Sequence, residues 1–257
     1  MARSERTFRT PVIILKRRDF NEADRLLTVL TPTHGKIDII AKGARKPTST
    51  KTGHVELFTR ADMLINKGRD FGIVSQAEMV MPYLPLRDDL TLGAYASYAA
   101  ELIDRFTGQD DEDQRHVFNL LDDTLRRLCS ETDPRLALRY FEIHLLGLVG
   151  FQPELNECVI GREPVMPEDQ YFSYAEGGII CQRHVVKMGH VLPVNVTTLK
   201  LLRHMQRSPF SKVRTLNIAP ALHEDAERIL LGYITYLLER RLQSVDFIRL
   251  LRNSSDA

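Results

Sequence analysis

Lys36-Ile37-Asp38-Ile39-Ile40-Ala41-Lys42-Gly43-Ala44-Arg45-Lys46-Pro47 is the stretch that decides how the first third of the chain is read. In its first half Ile37, Ile39 and Ala41 alternate with Lys36, Asp38 and Lys42. A period of two puts the apolar and charged sets on opposite faces of an extended backbone, which predicts a half-buried strand. In its second half the period breaks on glycine, proline and cations, and a loop follows.

Outward from this stretch the same signal repeats. Pro11-Val12-Ile13-Ile14-Leu15, Leu26 to Leu30, Val55 to Ile65 and Phe71 to Val80 are apolar runs of strand length, with Leu57, Thr59, Ala61, Met63 and Ile65 on one face of the Val55 to Ile65 run. Thr31-Pro32-Thr33-His34-Gly35, Gly43 through Gly53, and Asn66-Lys67-Gly68-Arg69-Asp70 are turn signals between them. Five short strands in about 75 residues, with no helix to cover an open sheet, predict a small closed barrel of the OB type. Pro82 and Pro85 end it.

The period then becomes helical. Leu90, Ala94, Tyr98, Leu102 and Phe106 share one helix face, and Val117, Leu121, Leu125 and Leu128 another. Asp133-Pro134 reads as an N-cap followed by proline at the first helical position, and Gly150 as the helix stop. Helices are expected again at Val196 to Gln206 and at Leu222 to Ser244, with Asn253 to Ala257 as a frayed tail. Between Pro153 and Pro193 the helical period fails. The chain is therefore read as a multi-domain α+β protein. Residues 1–82 are read as the OB-type barrel, 83–152 and 194–257 as a helical domain, and 153–193 as an insertion within it.

Of 257 residues 43% are apolar and 27% charged, the balance of an ordinary globular chain. No apolar run approaches the roughly 20 residues of a membrane span. The charged start Met1-Ala2-Arg3-Ser4-Glu5-Arg6 has no apolar signal core, and three cysteines make no disulfide framework. A cytoplasmic protein with no membrane partner is expected. The formal charge of +1 hides an asymmetry: residues 1–82 carry 15 Lys/Arg against 9 Asp/Glu, and the rest 20 against 25. A local positive field attracts a polyanion whatever the far segments carry.

The sequence has no phosphate-binding glycine loop, no nucleophile elbow and no metalloprotease helix, and its eight histidines are dispersed. Asp110-Asp111-Glu112-Asp113 reads as a solvated loop or helix N-terminus, since four successive acids cannot face one ion. No catalytic residue is proposed. Lys42, Arg45, Lys46 and Lys51 instead lie within ten residues among glycine, proline and hydroxyl groups, a composition that suits a phosphodiester chain. Lys16, Arg17 and Arg18 follow the first strand, where an OB barrel has its first binding loop. Before Pro82 the aromatics are only Phe8, Phe20, Phe58 and Phe71, and some must fill the barrel. Contacts led by phosphate, weakly sequence-specific and salt-dependent, are therefore expected.

Cys158, Cys181 and His184 form the third constellation. Cys181-Gln182-Arg183-His184 is a competent metal knuckle, whereas Cys158-Val159-Ile160-Gly161 has glycine at the partner position. Three ligands leave a tetrahedral site incomplete unless water, His190 or an acid completes it. Zinc and a metal-free packed ribbon are both open readings. Cys129 is read as a buried apolar residue.

Arg18-Asp19-Phe20-Asn21-Glu22-Ala23-Asp24-Arg25-Leu26-Leu27, His34-Gly35-Lys36-Ile37 and Ala41-Lys42-Gly43-Ala44-Arg45-Lys46 resemble the N-terminal barrel of the bacterial RecO family of DNA repair proteins. Leu145-Leu146-Gly147-Leu148-Val149-Gly150-Phe151-Gln152-Pro153, then Cys158, Phe172-Ser173, Gly177-Gly178 and Cys181, are similar to that family's central helix and zinc-knuckle region. The resemblance implies that 1–82 is an OB-fold nucleic-acid-binding domain and 153–193 an inserted zinc-ribbon-like element. It implies a nucleoid-associated recombination mediator that binds single- and double-stranded DNA and anneals complementary strands. It further implies loading of RecA, together with RecR, onto strands coated by single-strand binding protein. The carried-over phosphate contacts are Arg18, Lys36, Lys42, Arg45 and Lys46, with Lys51 and Arg17 secondary. The carried-over metal ligands are Cys158, Cys181 and His184. The acidic, apolar C-terminal tail of single-strand binding protein is expected in a helical-domain groove rimmed by Arg126, Arg127, Arg135, Arg139, Lys200 or Arg203. The readings against which this one stands are a protein-interaction adaptor and an RNA-binding OB-fold factor without annealing activity. A metal-assisted hydrolase at the Cys/His element would need an acid–base residue that the sequence does not supply.

Overall fold

The computed structural model describes residues 7–109, 111, 113–186 and 189–255. The charged start, Asp110 and Glu112 of the acidic run, and Asp256 and Ala257 of the tail lie outside the described residues.

The first five strands are β1 (Thr7–Phe20), β2 (Asp24–Leu30), β3 (Lys36–Ala41), β4 (Arg60–Asn66) and β5 (Gly72–Met81). They follow the order β1-β2-β3-β5-β4, and β4 pairs back onto β1, so the sheet closes on itself. Of the five strand pairings in this sheet, β3–β5 is parallel and the others are antiparallel. Val12, Ile14, Leu27, Val29, Ile39, Ala61, Met63 and Ile65 fill the interior at 0% exposure, the inward half of each alternating pattern.

Two details differ from the sequence reading. Lys16, Arg17 and Arg18 are not in a loop after the first strand. They lie inside β1, opposite Thr28, Leu27 and Leu26 of β2, beyond a register shift between Ile14 and Lys16. The long aliphatic stems of Lys and Arg let a strand continue through a cationic run while the charged heads reach water or an acidic partner. The fourth strand begins at Arg60, later than the apolar run suggests. Phe58 adopts a left-handed backbone (φ 62°) and its N–H donates to the Ile14 carbonyl at 3.0 Å, so Val55 to Thr59 plugs the sheet without joining its ladder.

The helices α1 (Pro85–Asp88), α2 (Leu90–Phe106) and α3 (Arg115–Ser130) follow, with the Asp89 carboxylate accepting from the Leu92 N–H at the start of α2. Asp122, 6% exposed, fastens α3 to the sheet. It accepts from Arg60 at 2.8 Å, Arg126 at 2.9 Å and the Tyr83 hydroxyl at 2.6 Å. The Met1–Ser130 segment forms one compact unit with Gln243–Ala257, and Glu131–Leu242 forms a second.

In the second unit α4 (Pro134–Leu148) begins as the sequence predicts: the Asp133 carboxylate accepts from the Arg135 and Leu136 N–H groups. Gly150 takes φ +84°, and the Phe151 N–H reaches back to the Leu146 carbonyl at 2.7 Å. Then come β6 (Gln170–Ser173), β7 (Gly178–Ile180), α5 (Gln182–Val185) and β8 (Leu192–Val194), the strands forming a three-stranded sheet in the order β7-β6-β8. α6 (Val196–Arg207), α7 (Phe210–Val213) and α8 (Pro220–Leu238) complete the unit. The single helix expected over Leu222 to Ser244 is instead two. Glu239 turns left-handed (φ 51°), and α9 (Gln243–Ser255) returns to the first unit. Asn253 to Ser255, read as frayed, continue α9. Its start is capped by the Glu101 carboxylate, which accepts from the Gln243 and Ser244 N–H groups at 3.1 and 2.9 Å, a cap no local pattern reveals.

Candidate functional site

Four cations line a groove of about 550 Å³ on the first unit: Lys16, Arg17, Arg18 and Lys36, facing Asp38 and Asp104. Their heads are not equally available. Lys36, 8% exposed, turns inward to Asp104, with Nζ 3.2 Å from Oδ1 and a further hydrogen bond to its backbone carbonyl. Lys16 meets the same carboxylate at 2.6 Å. Burial works against the charge on Asp104, yet the Lys16 hydrogen bond and the two lysine charges hold its pKa below the ordinary value. Arg17 and Arg25 share Glu56, the Arg25 contact being 2.8 Å. Burial, and the neighbouring Arg25 charge, lower the Arg17 pKa. Asp104 and Glu56 therefore each serve two cations, while Asp38 accepts from Thr28 and Gln109, and cations outnumber acids along the groove. Arg18 is exposed on the same strand.

The loop after β3 is held by turns. Gly43 takes φ +67°, the Lys46 N–H donates to the Gly43 carbonyl at 3.1 Å, and Ala44 is buried. Three hydrogen bonds tie this loop to the turn between β1 and β2. The Arg45 N–H reaches the Ala23 carbonyl at 2.9 Å, its guanidinium the Glu22 carbonyl at 3.2 Å, and the Gly43 N–H the Asp24 carboxylate at 2.7 Å. The Gly43 N–H lowers the Asp24 pKa, assisted more weakly by Lys42 and Lys46. Arg45 also lies 3.3 Å from Asp19. Lys51 donates to the Val74 carbonyl at 3.0 Å and so anchors the loop to β5. Lys42, Arg45 and Lys46 are exposed. Of the sequence candidates, Arg18, Lys42, Arg45 and Lys46 thus present outward charge, while Arg17, Lys36 and Lys51 are engaged within the protein.

Of the four aromatics, some of which the sequence reading expects to fill the barrel, one does so completely. Phe58 is buried, but Phe8, Phe20 and Phe71 are only half-buried. Phe8 stacks on His34 with ring centroids 4.1 Å apart, and Lys67 Nζ lies 5.8 Å from the Phe8 centroid. These groups line a second groove of about 380 Å³ with Arg69 and Phe71 from the β4–β5 turn. Lys67 and Arg69 were missed as candidates because the turn reads as ordinary punctuation. Their position beside two half-exposed rings was the only available signal, and it exists only in the fold.

In the second unit Cys158, Cys181 and His184 converge. His184 Nδ1 lies 3.4 Å from Cys158 Sγ and 3.1 Å from Cys181 Sγ. Burial opposes ionisation of Cys158, but the N–H groups of Cys181, Gly161 and Ile160 aimed at its sulfur outweigh that and hold its pKa down to about 7. Burial, and its hydrogen bond to Glu163, push the Cys181 thiol up. Glu163, unnoticed in the sequence, belongs to this group, whereas His190 is exposed and outside it. Of the expected helical-domain rim cations, Arg139 is 5% exposed and paired with Glu142 at 2.9 Å, so it forms no rim. Arg126 and Arg127 belong to the first unit and Lys200 and Arg203 to the second. Among the described residues no helix is long and apolar enough to cross a membrane.

The family model described as "Recombination protein O N terminal" matches residues 4–83, and "Recombination protein O C terminal" matches 87–246. A protein of Roseiflexus sp. (strain RS-1) is 37% identical over 98% of this chain and 90% of its own length. One from Dehalococcoides mccartyi (strain ATCC BAA-2100) is 33% identical, covering 95% and 96%. A third, from Desulforamulus reducens, is 32% identical, covering 96% of each. All three carry the name DNA repair protein RecO.

Proposed function

This chain belongs to the RecO family of DNA repair and recombination proteins, and from that premise we propose that its closed sheet is an OB-fold that grips nucleic-acid phosphates at one end and so promotes annealing of complementary DNA strands without catalysing a bond change. The carrying observation is the tie between the two basic segments. The bonds from Arg45 and Gly43 to the β1–β2 turn hold Lys42 and Lys46 at the end of the hairpin that bears Arg18. Two single strands repel through their phosphates, and a cationic surface lowers that barrier by releasing counterions. Phosphate contact leaves base edges free to pair with each other, which is what annealing requires.

The contact set we propose is Arg18, Lys42, Arg45 and Lys46. Arg17, Lys36 and Lys51 shape the surface from beneath. The groove beside Phe8 and Phe71 offers a transient platform for an unpaired base, and Lys67 and Arg69 supply charge beside it. Single- and double-stranded DNA as ligands, RecR, RecA loading, the single-strand binding protein tail and nucleoid association complete this reading by family membership. The domain division we propose for function keeps residues 1–82 as the DNA module, with 83–152 and 194–257 as the helical part around a ribbon-like 153–193.

Fluorescent strand annealing across a salt series tests the reading. Charge reversal of Lys42 and Lys46 to glutamate slows annealing and weakens binding to all sequences about equally. Neutralising both to alanine makes the log K against log salt slope for single strands shallower by about 1.4. Unchanged annealing and slope refute it. RNA bound in preference to DNA under the same conditions favours the RNA-binding alternative.

A further inference from the structure

We propose that Glu163 is the fourth ligand of a structural zinc site completed by Cys158, Cys181 and His184. This inference does not depend on the DNA reading. The ligand atoms of these four side chains all lie within 4.8 Å of one another. A tetrahedron with metal bonds of about 2.0–2.3 Å has edges of about 3.3–3.8 Å. Four of the six edges are 3.1 to 3.4 Å: Cys158 to His184, Cys181 to His184, Cys181 to Glu163, and Glu163 to His184. These four edges lie at or slightly below the short end of that range, and the other two are within 4.8 Å.

Gly161 explains why the acid stands at 163. A Cβ built on Gly161 would overlap Glu163 Oε2 and His184 Cε1. The position where a second cysteine is expected is not simply vacant of a ligand. It lacks a side chain so that the carboxylate and the imidazole can occupy that space. The loop geometry agrees: Arg162 adopts φ +60°, its N–H returns to the Cys158 carbonyl at 2.8 Å, and the Cys158 N–H donates to the Glu163 carbonyl at 2.9 Å. This tight turn carries Glu163 back alongside Cys158.

Protons alone satisfy the cluster poorly. His184 Nδ1 faces two sulfurs and a carboxylate oxygen and carries at most one proton to share among them. A divalent cation answers all four groups together. Two thiolates and an imidazole select zinc over calcium or magnesium, and four protein ligands close the site to substrate, which makes it structural. Arg183, 3.5 Å from Glu163 Oε1, offsets part of the excess negative charge. The local apolar cluster centres on buried Cys158, Ile180 and Cys181, with Val159, Tyr171, Val185 and Val191 partly buried against it, so two of the proposed ligands are part of the small core that a metal would reinforce.

Cobalt(II) and zinc titration of the reduced, full-length, metal-stripped protein tests the assignment. The expected result is one cobalt per chain, with intense tetrahedral ligand-field bands and thiolate-to-cobalt charge transfer, displaced by zinc. Glu163→Ala lowers zinc affinity at least about 100-fold in chelator competition, beyond the about 10–100-fold expected for an outer partner. Glu163→Cys restores binding and adds a third thiolate's charge-transfer intensity. Circular dichroism reports the fold of each variant; should Glu163→Ala not fold, the Glu163→Cys spectrum decides. Absence of stoichiometric cobalt uptake by the wild type, unchanged zinc affinity in Glu163→Ala, or a two-thiolate spectrum in Glu163→Cys overturns the proposal.

Discussion

Lys36 and Lys42 bracket the same strand, carry the same charge and look alike in sequence, yet the fold gives them opposite tasks. Lys36 opens β3 with its ammonium buried against Asp104, while Lys42 leaves β3 with its ammonium in water. The pattern repeats on the neighbouring strand, where Arg17 shares Glu56 with Arg25 and Arg18, one residue on, is exposed. Local charge density in a sequence therefore counts two populations together: cations that weld the module and cations that face a ligand. Only the second can release counterions from DNA, whereas the first contributes chiefly to stability.

The largest effect expected from this contrast is at Lys36. Lys36→Met leaves Asp104 with Lys16 alone and lowers unfolding free energy by about 3 kcal/mol, toward the lower end for breaking a buried pair. Urea denaturation measures it, and a salt slope of DNA binding unchanged in the folded variant sharpens the division. Glu56→Gln comes next. It removes the shared partner of Arg17 and Arg25 and costs about 1–2 kcal/mol, since the pair is partly solvated. At low salt it should tighten DNA binding, because two guanidinium charges lose their neutraliser; a weaker complex would break the contrast.

A smaller effect is the acid dependence of Asp104. Its folded-state pKa is lowered, so its contribution is fully present above the unfolded value of about 3.9 and is lost as pH falls through the folded one. The advantage of the wild type over Asp104→Asn should therefore shrink below about pH 4 in denaturation curves. The smallest effect is at the outward pair: Lys42→Ala with Lys46→Ala should leave the urea midpoint where it is while DNA binding weakens. A large midpoint shift would mean that these lysines too are structural.

What the sequence disclosed follows the range of the forces involved. Asp133-Pro134 and Gly150 announce the ends of α4 because capping is local, and the inward isoleucines of β3 announce the sheet because alternation is local. The basic loop was legible as a loop and as cationic. The burial of Lys36 was not, because its partner Asp104 stands 68 residues away. Lys16 to Arg18 were misplaced into a loop because a cationic run resembles a strand end, and only pairing with β2 shows that it continues. Glu163 was hidden by a knuckle template that looked three residues past Cys158, where Gly161 stands, instead of five.

Glu101 holds the start of α9 through the Gln243 and Ser244 N–H groups, and α9 belongs with the sheet although all of Glu131–Leu242 intervenes. On the ribosome the sheet emerges and can close long before the helix that completes its unit has been translated. During that interval the face of α2 that α9 will cover stays open to solvent. Final maturation of the first unit is thus timed by synthesis of the second.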